Sequence, residues 1–556
     1  MNRKTLTILL IASVGALLFI PFLGVVHLFD WDEINFAESA REMLLTHNYL
    51  TVQINFLPFW EKPPLFIWMQ VLAMKVFGIN AFAARFPNAI VGIVTLITVY
   101  LIGEKLFSHK FGLLWALVYA GSILPQMYFH SGIIDPWFNL FIFLGIYYMV
   151  LYLSPDIKRN KNWLIFLSAA SIGLGILTKG PVALLDFLLA LAVWLIIDKS
   201  WKKVFNLRFL LIYGITLLLV GGFWFILQIL SGKAYLILEF IQYQIRLFSQ
   251  KDAGHGGFLM YHFVVLFIGV FPASIFALAA FRKFKDQNIT QKLFRNWMMI
   301  SFWVVLILFT IVKTKIIHYS SFCYFPLTFL ATYAIMKIAE NKLKFGSWLK
   351  TILIVMTILE GSALIGLQLF VKYKDQIIAK DWIKDPFAVG NLQAVVHWSG
   401  YEFLLGVMLI AGIILSLILF RKQFMKQVVG IFITSLIYTT LTIFIITPKI
   451  EQYSQNAAIQ FYQEHAGQDC YMRVWGFKSY AQYFYFKKQP PENGSRMDEE
   501  SLLENSVNKP VYVVTKITSY REFEKRYPEF TLMYIKNGFA FFGKPAFTPA
   551  KKINTQ

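Results

Sequence analysis

The feature that most constrains this chain is a series of apolar runs about 20 residues long, the length at which a helix crosses the hydrocarbon core of a bilayer. After a first run from Thr5 to Leu28, others cover 84–103, 111–130, 136–153, 162–177, 181–197, 209–230, 259–281, 297–312, 318–337, 350–371, 402–420 and 427–447. They predict about thirteen crossings. Composition agrees. Of 556 residues, 57% are hydrophobic and 15% charged, against about 25% charged in a soluble domain. The segment Pro64–Gly78 is apolar but short, and reads as an interfacial or re-entrant helix. The basic start Met1-Asn2-Arg3-Lys4 has the outline of a signal peptide. The run behind it is long and lacks an A-x-A cleavage pattern, so an uncleaved first helix is expected.

The net charge of +21 does not point to nucleic acid. Lys and Arg concentrate in short loops at 105–110, 154–162, 198–208, 282–295, 337–350 and 421–426, as the positive-inside rule requires of cytoplasmic loops. The loop 30–62 on the opposite side carries Asp30, Asp32, Glu33, Glu38, Glu42 and Glu61 against Arg41 and Lys62. The N-terminus is therefore expected in the cytoplasm and, after an odd number of crossings, the C-terminus outside. From about Pro448 charges become frequent. β-like runs appear at Tyr471–Phe477, Val511–Thr515 and Phe539–Phe542, with a helix-permissive stretch at Ser519–Tyr527. The expected architecture is an all-α polytopic membrane domain over 1–447, with juxtamembrane helices at about 30–78, and a small extracytoplasmic α/β domain over 448–556. Cys323 lies in an apolar run and Cys470 in the polar part, so no disulfide joins them in this reading.

The polar residues that could carry chemistry fall on the expected outer side, where charge at membrane depth tends to be kept for function. In the first outer loop, Asp32 opens a helical pattern that groups Glu38, Arg41 and Glu42. This describes an amphipathic surface helix with Asp32 as its N-cap, or a catalytic carboxylate aimed into a cavity. In Trp60-Glu61-Lys62-Pro63-Pro64 the pair is a membrane-border anchor, or a phosphate-binding Lys and a cation-binding Glu fixed by the two prolines. Further clusters are His130 with Asp135, Thr178-Lys179-Gly180, Tyr243 and Arg246 with Lys251, Asp252 and His255, and Lys313 and Lys315 with His318 and Tyr319. Each alone is more commonly a cap or anchor. Together, on one face, they describe a site.

Read in order, Asp32-Glu33…Ala37-Glu38…Arg41-Glu42-Met43, Glu61-Lys62-Pro63-Pro64-Leu65, Ala84-Arg85-Phe86-Pro87, Asp135-Pro136, Thr178-Lys179-Gly180, the 246–255 loop and Lys315…Tyr319 resemble the ArnT-like lipid A aminoarabinose transferases. These are GT-C membrane glycosyltransferases related to the protein mannosyltransferases. The resemblance spans roughly residues 5–335. It implies thirteen transmembrane helices of GT-C type and an extracytoplasmic C-terminal domain. It also implies Asp32 and Asp135 as catalytic carboxylates, and Lys62, Arg246 and Tyr319 on the phosphate of a polyprenyl carrier. Glu61 would be a ligand of a zinc-like divalent metal. The chain departs from the family at Tyr243, which stands where those transferases have a His; Tyr is a poor zinc ligand, and His255 is the nearby substitute. Glu33, Lys179, Lys315 and Tyr243 complete the cavity candidates.

The implied partners are a polyprenyl-phosphate sugar donor, the bilayer, and lipid A or another surface glycan or protein as acceptor, in a bacterial inner membrane. The implied sugar is 4-amino-4-deoxy-L-arabinose or a similar one. A GT-C transferase with a protein or other glycan acceptor is the alternative within enzymes. A lipid-linked sugar transporter or flippase is the alternative outside them; it would place functional charges on both faces, and no internal repeat of fixed period accompanies it.

Overall fold

The computed structural model describes residues 2–249, 256–282, 284, 288–491, 500–505 and 507–546, and all side chains among them except those of 247–249. Among these residues seven helices are long and apolar enough to cross a membrane: Ala81–Leu106, Asp135–Leu153, Lys161–Lys179, Ile289–Ile311, Ile317–Ala339, Ser347–Ala379 and Phe424–Ser454. Two bent pairs raise the number to nine. His109–Ala120 meets Ile123–His130 at 80°, and Leu207–Val220 meets Phe223–Leu230 at 58°. The remaining expected crossings fall on shorter pieces: Arg3–Phe19, Val182–Asp198, Phe403–Leu419, and Tyr261–Gly269 followed by Ala273–Leu278. Length and hydropathy of single helices therefore do not confirm the count of thirteen. An apolar run records hydrophobic length, and does not record whether one straight helix fills it.

The bundle interior is packed with aromatic rings. Trp115, Phe143, Trp297 and Tyr324 are buried, and the Phe143 and Phe325 rings stack at 4.4 Å. Where Ser347–Ala379 crosses Phe403–Leu419, a Cβ on Gly406 would lie 2.2 Å from the Gly361 carbonyl oxygen. Only glycine permits that approach, the small-residue packing by which membrane helices meet. Outward-facing Leu10, Leu17, Leu218, Leu219 and Ile311 are exposed. So much exposed aliphatic surface on a helical bundle suits lipid as its solvent.

At one end of the bundle the Asp32–Thr46 and Leu65–Phe77 helices lie beneath a four-stranded sheet. Its order is Tyr471–Trp475, Val511–Lys516, Phe539–Lys544, Thr531–Lys536, with the first pair parallel and the others antiparallel. Thr531–Lys536 lies outside the β-like runs read from sequence, because its side chains are mostly exposed and no apolar alternation marks it. Ile34, Phe36, Ala37, Ala40 and Met43 share one core with Phe66 and Ile67, and with Phe461, Tyr462, Phe484 and Phe541. The Asp32–Thr46 helix is thus enclosed, with Glu33 through Met43 buried. The amphipathic surface helix expected from its charges is corrected: those charges pair inside the protein.

Candidate active site

Asp32 is the first residue of its helix. It is not the N-cap; Trp31 occupies that position, with φ 81° and ψ −116°, and caps nothing with its side chain. A positive φ at a tryptophan is strained, and such strain persists where surrounding contacts over-determine the backbone. The contacts are present on both sides. Glu33, one residue on, is buried and accepts from Arg85 twice (Nε to Oε1 3.0 Å, Nη2 to Oε2 2.7 Å), from the Phe29 amide (2.8 Å) and from the Gly132 amide. Burial alone would raise the Glu33 carboxyl. The Arg85 guanidinium, with the two amides, outweighs it and holds the carboxyl below the usual glutamate range. Arg85 also donates to the carbonyls of Leu23, Val26 and His27, so one buried guanidinium ties down the whole approach to Asp32.

Further along the helix, Arg41 donates to both Glu38 oxygens (2.7 Å each) and Glu42 accepts from the Phe56 amide at 2.7 Å. Burial, then the adjacent Glu38 carboxylate, pushes the Glu42 carboxyl up to about 9. Asp32 differs from all of these. Its side chain is 38% exposed, and Oδ2 lies 3.3 Å from Nε2 of His318. The positive end of the helix lies behind its carboxylate.

Asp32 opens into a cavity of about 980 Å³. Its wall carries Glu61, Lys62, Asp135, Lys179, Tyr243, Arg246, His318, Tyr319 and Lys478, over apolar sides that include Phe138, Val182, Leu185 and Phe309. Two cations gather on one ring: Lys62 Nζ is 5.1 Å and Arg246 Cζ 5.2 Å from the centre of the Tyr243 ring, which packs edge-on against Trp60. The cavity walls dehydrate Lys62 and lower its pKa below the usual lysine value, against the opposing charges of Glu61 and Asp32. Asp135 begins the Asp135–Leu153 helix and is paired with Lys179 at 2.6 Å, whose Nζ lies 5.3 Å from the Tyr319 ring centre.

The fold therefore brings Asp32, Glu33, Glu61, Lys62, Asp135, Lys179, Tyr243, Arg246 and Tyr319 to one cavity wall, although they are spread over almost 300 residues. Lys315 is corrected. Its ammonium turns back to the carbonyls of Phe309 (2.9 Å) and Thr310 (2.7 Å), closing the end of the Ile289–Ile311 helix. His255 lies outside the described residues. Among the described residues no group of three His, Cys, Asp or Glu able to hold a metal occurs, and Tyr243, with Lys62 and Arg246 near its ring, is of a residue type that seldom ligates zinc. Sequence reasoning underweighted two residues. His318 stood only as a neighbour of Tyr319, and Lys478 carried no signal, being more than 400 positions from Asp32.

Known proteins resemble this chain in sequence and in fold. A family model described as dolichyl-phosphate-mannose-protein mannosyltransferase matches residues 61–225. The undecaprenyl phosphate-alpha-4-amino-4-deoxy-L-arabinose arabinosyl transferase of Enterobacter sp. (strain 638) is 25% identical over 327 residues, 58% of this chain and 58% of the relative. The enzyme of the same name from Wigglesworthia glossinidia brevipalpis is 27% identical over 384 residues, 67% of this chain and 66% of the relative. The match thus spans less than two thirds of each relative's length. The crystal structure of ArnT from Cupriavidus metallidurans bound to undecaprenyl phosphate superposes with a TM-score of 0.76 over 98% of both chains, at 16% identity. The fold of this chain is that of the ArnT-like GT-C membrane glycosyltransferases, and the resemblance read from its motifs is borne out.

Proposed function

We propose that this protein is a membrane glycosyltransferase that takes a sugar from a polyprenyl-phosphate donor and transfers it to an extracytoplasmic acceptor, with lipid A phosphate as acceptor and 4-amino-4-deoxy-L-arabinose or a similar sugar as cargo. The observation that carries the reading is one accessible carboxylate, Asp32, sharing a cavity with a pair of cations, Lys62 and Arg246, placed on a common ring. Breaking the bond between sugar C1 and the carrier phosphate puts negative charge on that phosphate. Preset cations stabilise charge that grows in the transition state without reorganising, usually among the larger effects available to an enzyme. Tyr319 adds a hydroxyl group on the same wall.

Asp32, oriented by His318, faces the sugar. For a hydroxyl acceptor it serves as general base; for a phosphate acceptor, already anionic, it stabilises positive charge developing on the sugar ring. Asp135 is held by Lys179 and acts as the second cavity carboxylate. A single displacement inverts the anomeric centre, which the linkage in an isolated product tests.

An apolar groove of about 1140 Å³ supports a polyprenyl carrier. It runs along the same two helices that wall the cavity, between Leu189, Val193 and Ile197 on one and Ile300, Val304 and Ile307 on the other. The Lys- and Arg-rich loops lie at segments remote from those that form the cavity, which supports a cytoplasmic N-terminus and a periplasmic site in a bacterial inner membrane.

The test is mass spectrometry of lipid A and total surface glycolipids from cells with the gene, without it, and with Asp32→Ala. Loss of a sugar-sized mass from lipid A in both mutants is the expected result. An unchanged lipid A with another glycan or glycoprotein altered moves the acceptor to protein or glycan. No change in any product returns the transporter reading.

A further inference from the structure

Lys478 reaches the cavity from the C-terminal sheet, whereas Lys62, Lys179 and Arg246 come from the helical part of the chain. It sits in the turn that follows the Tyr471–Trp475 strand. Its Nζ lies 5.3 Å from the centre of the Trp31 ring and 5.4 Å from that of Tyr480. Lysine over an aromatic face is held by the ring quadrupole, here the ring of the residue that immediately precedes Asp32.

The turn is fastened to the Asp32 loop by directed bonds. The Tyr480 amide donates to Oδ1 of Asp30 at 3.2 Å, and the Asp30 amide donates to Oε1 of Gln455 at 3.1 Å. Gln455 Nε2 donates to the Leu28 carbonyl at 2.8 Å, and the Leu28 amide donates to the Tyr485 hydroxyl at 2.6 Å. The segments before and after the Tyr471–Trp475 strand are thus bonded to the Asp32 loop, and Lys478 is held at the edge of that contact.

The charge around that edge says what Lys478 is for. Asp30 and Asp32 flank Trp31, and Glu61 lies close enough to Tyr480 to act on it electrostatically. A neutral hydroxyl acceptor would pass these carboxylates without difficulty. A phosphate acceptor would be repelled by them, and a cation among them offsets that repulsion. Lys62 and Arg246 are gathered on Tyr243, on a different ring from the Trp31 and Tyr480 pair.

We infer that Lys478, held on Trp31 by the C-terminal sheet, binds an anionic acceptor at the site and so selects a phosphate-bearing lipid over a neutral hydroxyl. The inference rests on the transferase reading above and assigns the side chain that holds its acceptor's phosphate.

The test uses the full-length protein in nanodiscs, with a phosphate-bearing lipid A acceptor and the same lipid after removal of its phosphates. Wild type, Lys478→Gln and Lys478→Arg are compared, with KM for acceptor and for donor measured separately and acceptor binding followed by thermal stabilisation without donor. Lys478→Gln is expected to raise the acceptor KM about tenfold, the scale of one lost charge-assisted hydrogen bond. Donor KM stays unchanged, and Lys478→Arg stays near wild type. The wild type should be stabilised by the phosphorylated lipid, and the Gln variant much less.

An unchanged acceptor KM in Lys478→Gln, or an equal rise in donor KM, overturns the inference. So does wild-type preference for the dephosphorylated lipid. If no transfer occurs but the phosphorylated lipid stabilises wild type and not Lys478→Gln, the transferase reading fails and the anion site stands. If neither lipid stabilises wild type and no transfer occurs, both fail.

Discussion

On the cavity side of the Asp32–Thr46 helix, Asp32 keeps an accessible carboxylate beside His318. Elsewhere on the same helix, Glu33 and Glu38 are buried and each is held side-on by the Nε and Nη2 of an arginine, Arg85 and Arg41. The two regions have the same residue types within eleven positions of one another. Only their surroundings differ. A buried, fully paired carboxylate has no lone pair or charge to offer a substrate, and holds backbone in place. A carboxylate left facing a cavity retains its charge for whatever enters. Asp32 and Glu33, adjacent in sequence, have divided these tasks.

The largest expected effect separates them by readout. Asp32→Asn keeps shape and removes charge; transfer should fall about 10²-fold or more, while the thermal midpoint moves little because the side chain is accessible. Glu33→Gln should do the reverse. Losing one member of a buried ion pair leaves Arg85 with an uncompensated charge and costs about 3–5 kcal/mol, seen as a lower midpoint and a lower yield of folded protein. Equal loss of folding in both variants would erase the distinction between the two regions.

How much of this was legible in the sequence depends on distance along the chain. The apolar runs locate the helices, because hydrophobic length is a local property. Asp32, Lys62, Asp135 and Tyr319 stand in short motifs beside turns or prolines and could be picked out in place, whereas Arg246 lies within the Ala234–Ser249 helix and was marked only by its charge in an apolar stretch. The sequence pattern failed where meaning depends on what packs against a residue. Glu38, Arg41 and Glu42 have helical spacing that suits a wet surface equally well, and only the elements packed around their helix, Leu65–Phe77, Gln53–Ile54 and Ala481–Tyr485, make it interior. Lys478 has no motif, and its place beside Trp31 comes from tertiary packing across most of the chain.

A subtler test lies within the buried region. Glu42 has its pKa raised to about 9, so it is protonated at neutral pH when folded and ionised when unfolded. A raised folded pKa contributes stability that is complete below about 4.5 and is lost as pH climbs toward 9. The thermal midpoint of wild type should therefore decline between pH 5 and pH 8. Glu42→Gln, which mimics the protonated acid, should flatten that decline, with a difference on the order of a few kcal/mol. An identical slope in both proteins would show that the cluster does not titrate, and that its proton is not part of the buried arrangement.

The smallest expected effect concerns Lys315, which shares the cavity's stretch of sequence without sharing its wall. Its ammonium bonds the carbonyls of Phe309 and Thr310, two of the acceptors that every helix leaves unpaired at its C-terminal end. A cation there also meets the negative end of the helix dipole. Lys315→Met keeps most of the apolar stem and removes the charge and both bonds, a loss of about 1.5–3 kcal/mol that a calorimetric midpoint registers. Transfer by the folded fraction should be unchanged, because nothing of Lys315 faces the substrate. If Lys315→Met instead lowered turnover as far as Asp32→Asn at an unchanged midpoint, the side chain must swing into the cavity when donor binds, and the border between the region that holds and the region that reacts would have to be redrawn through this turn.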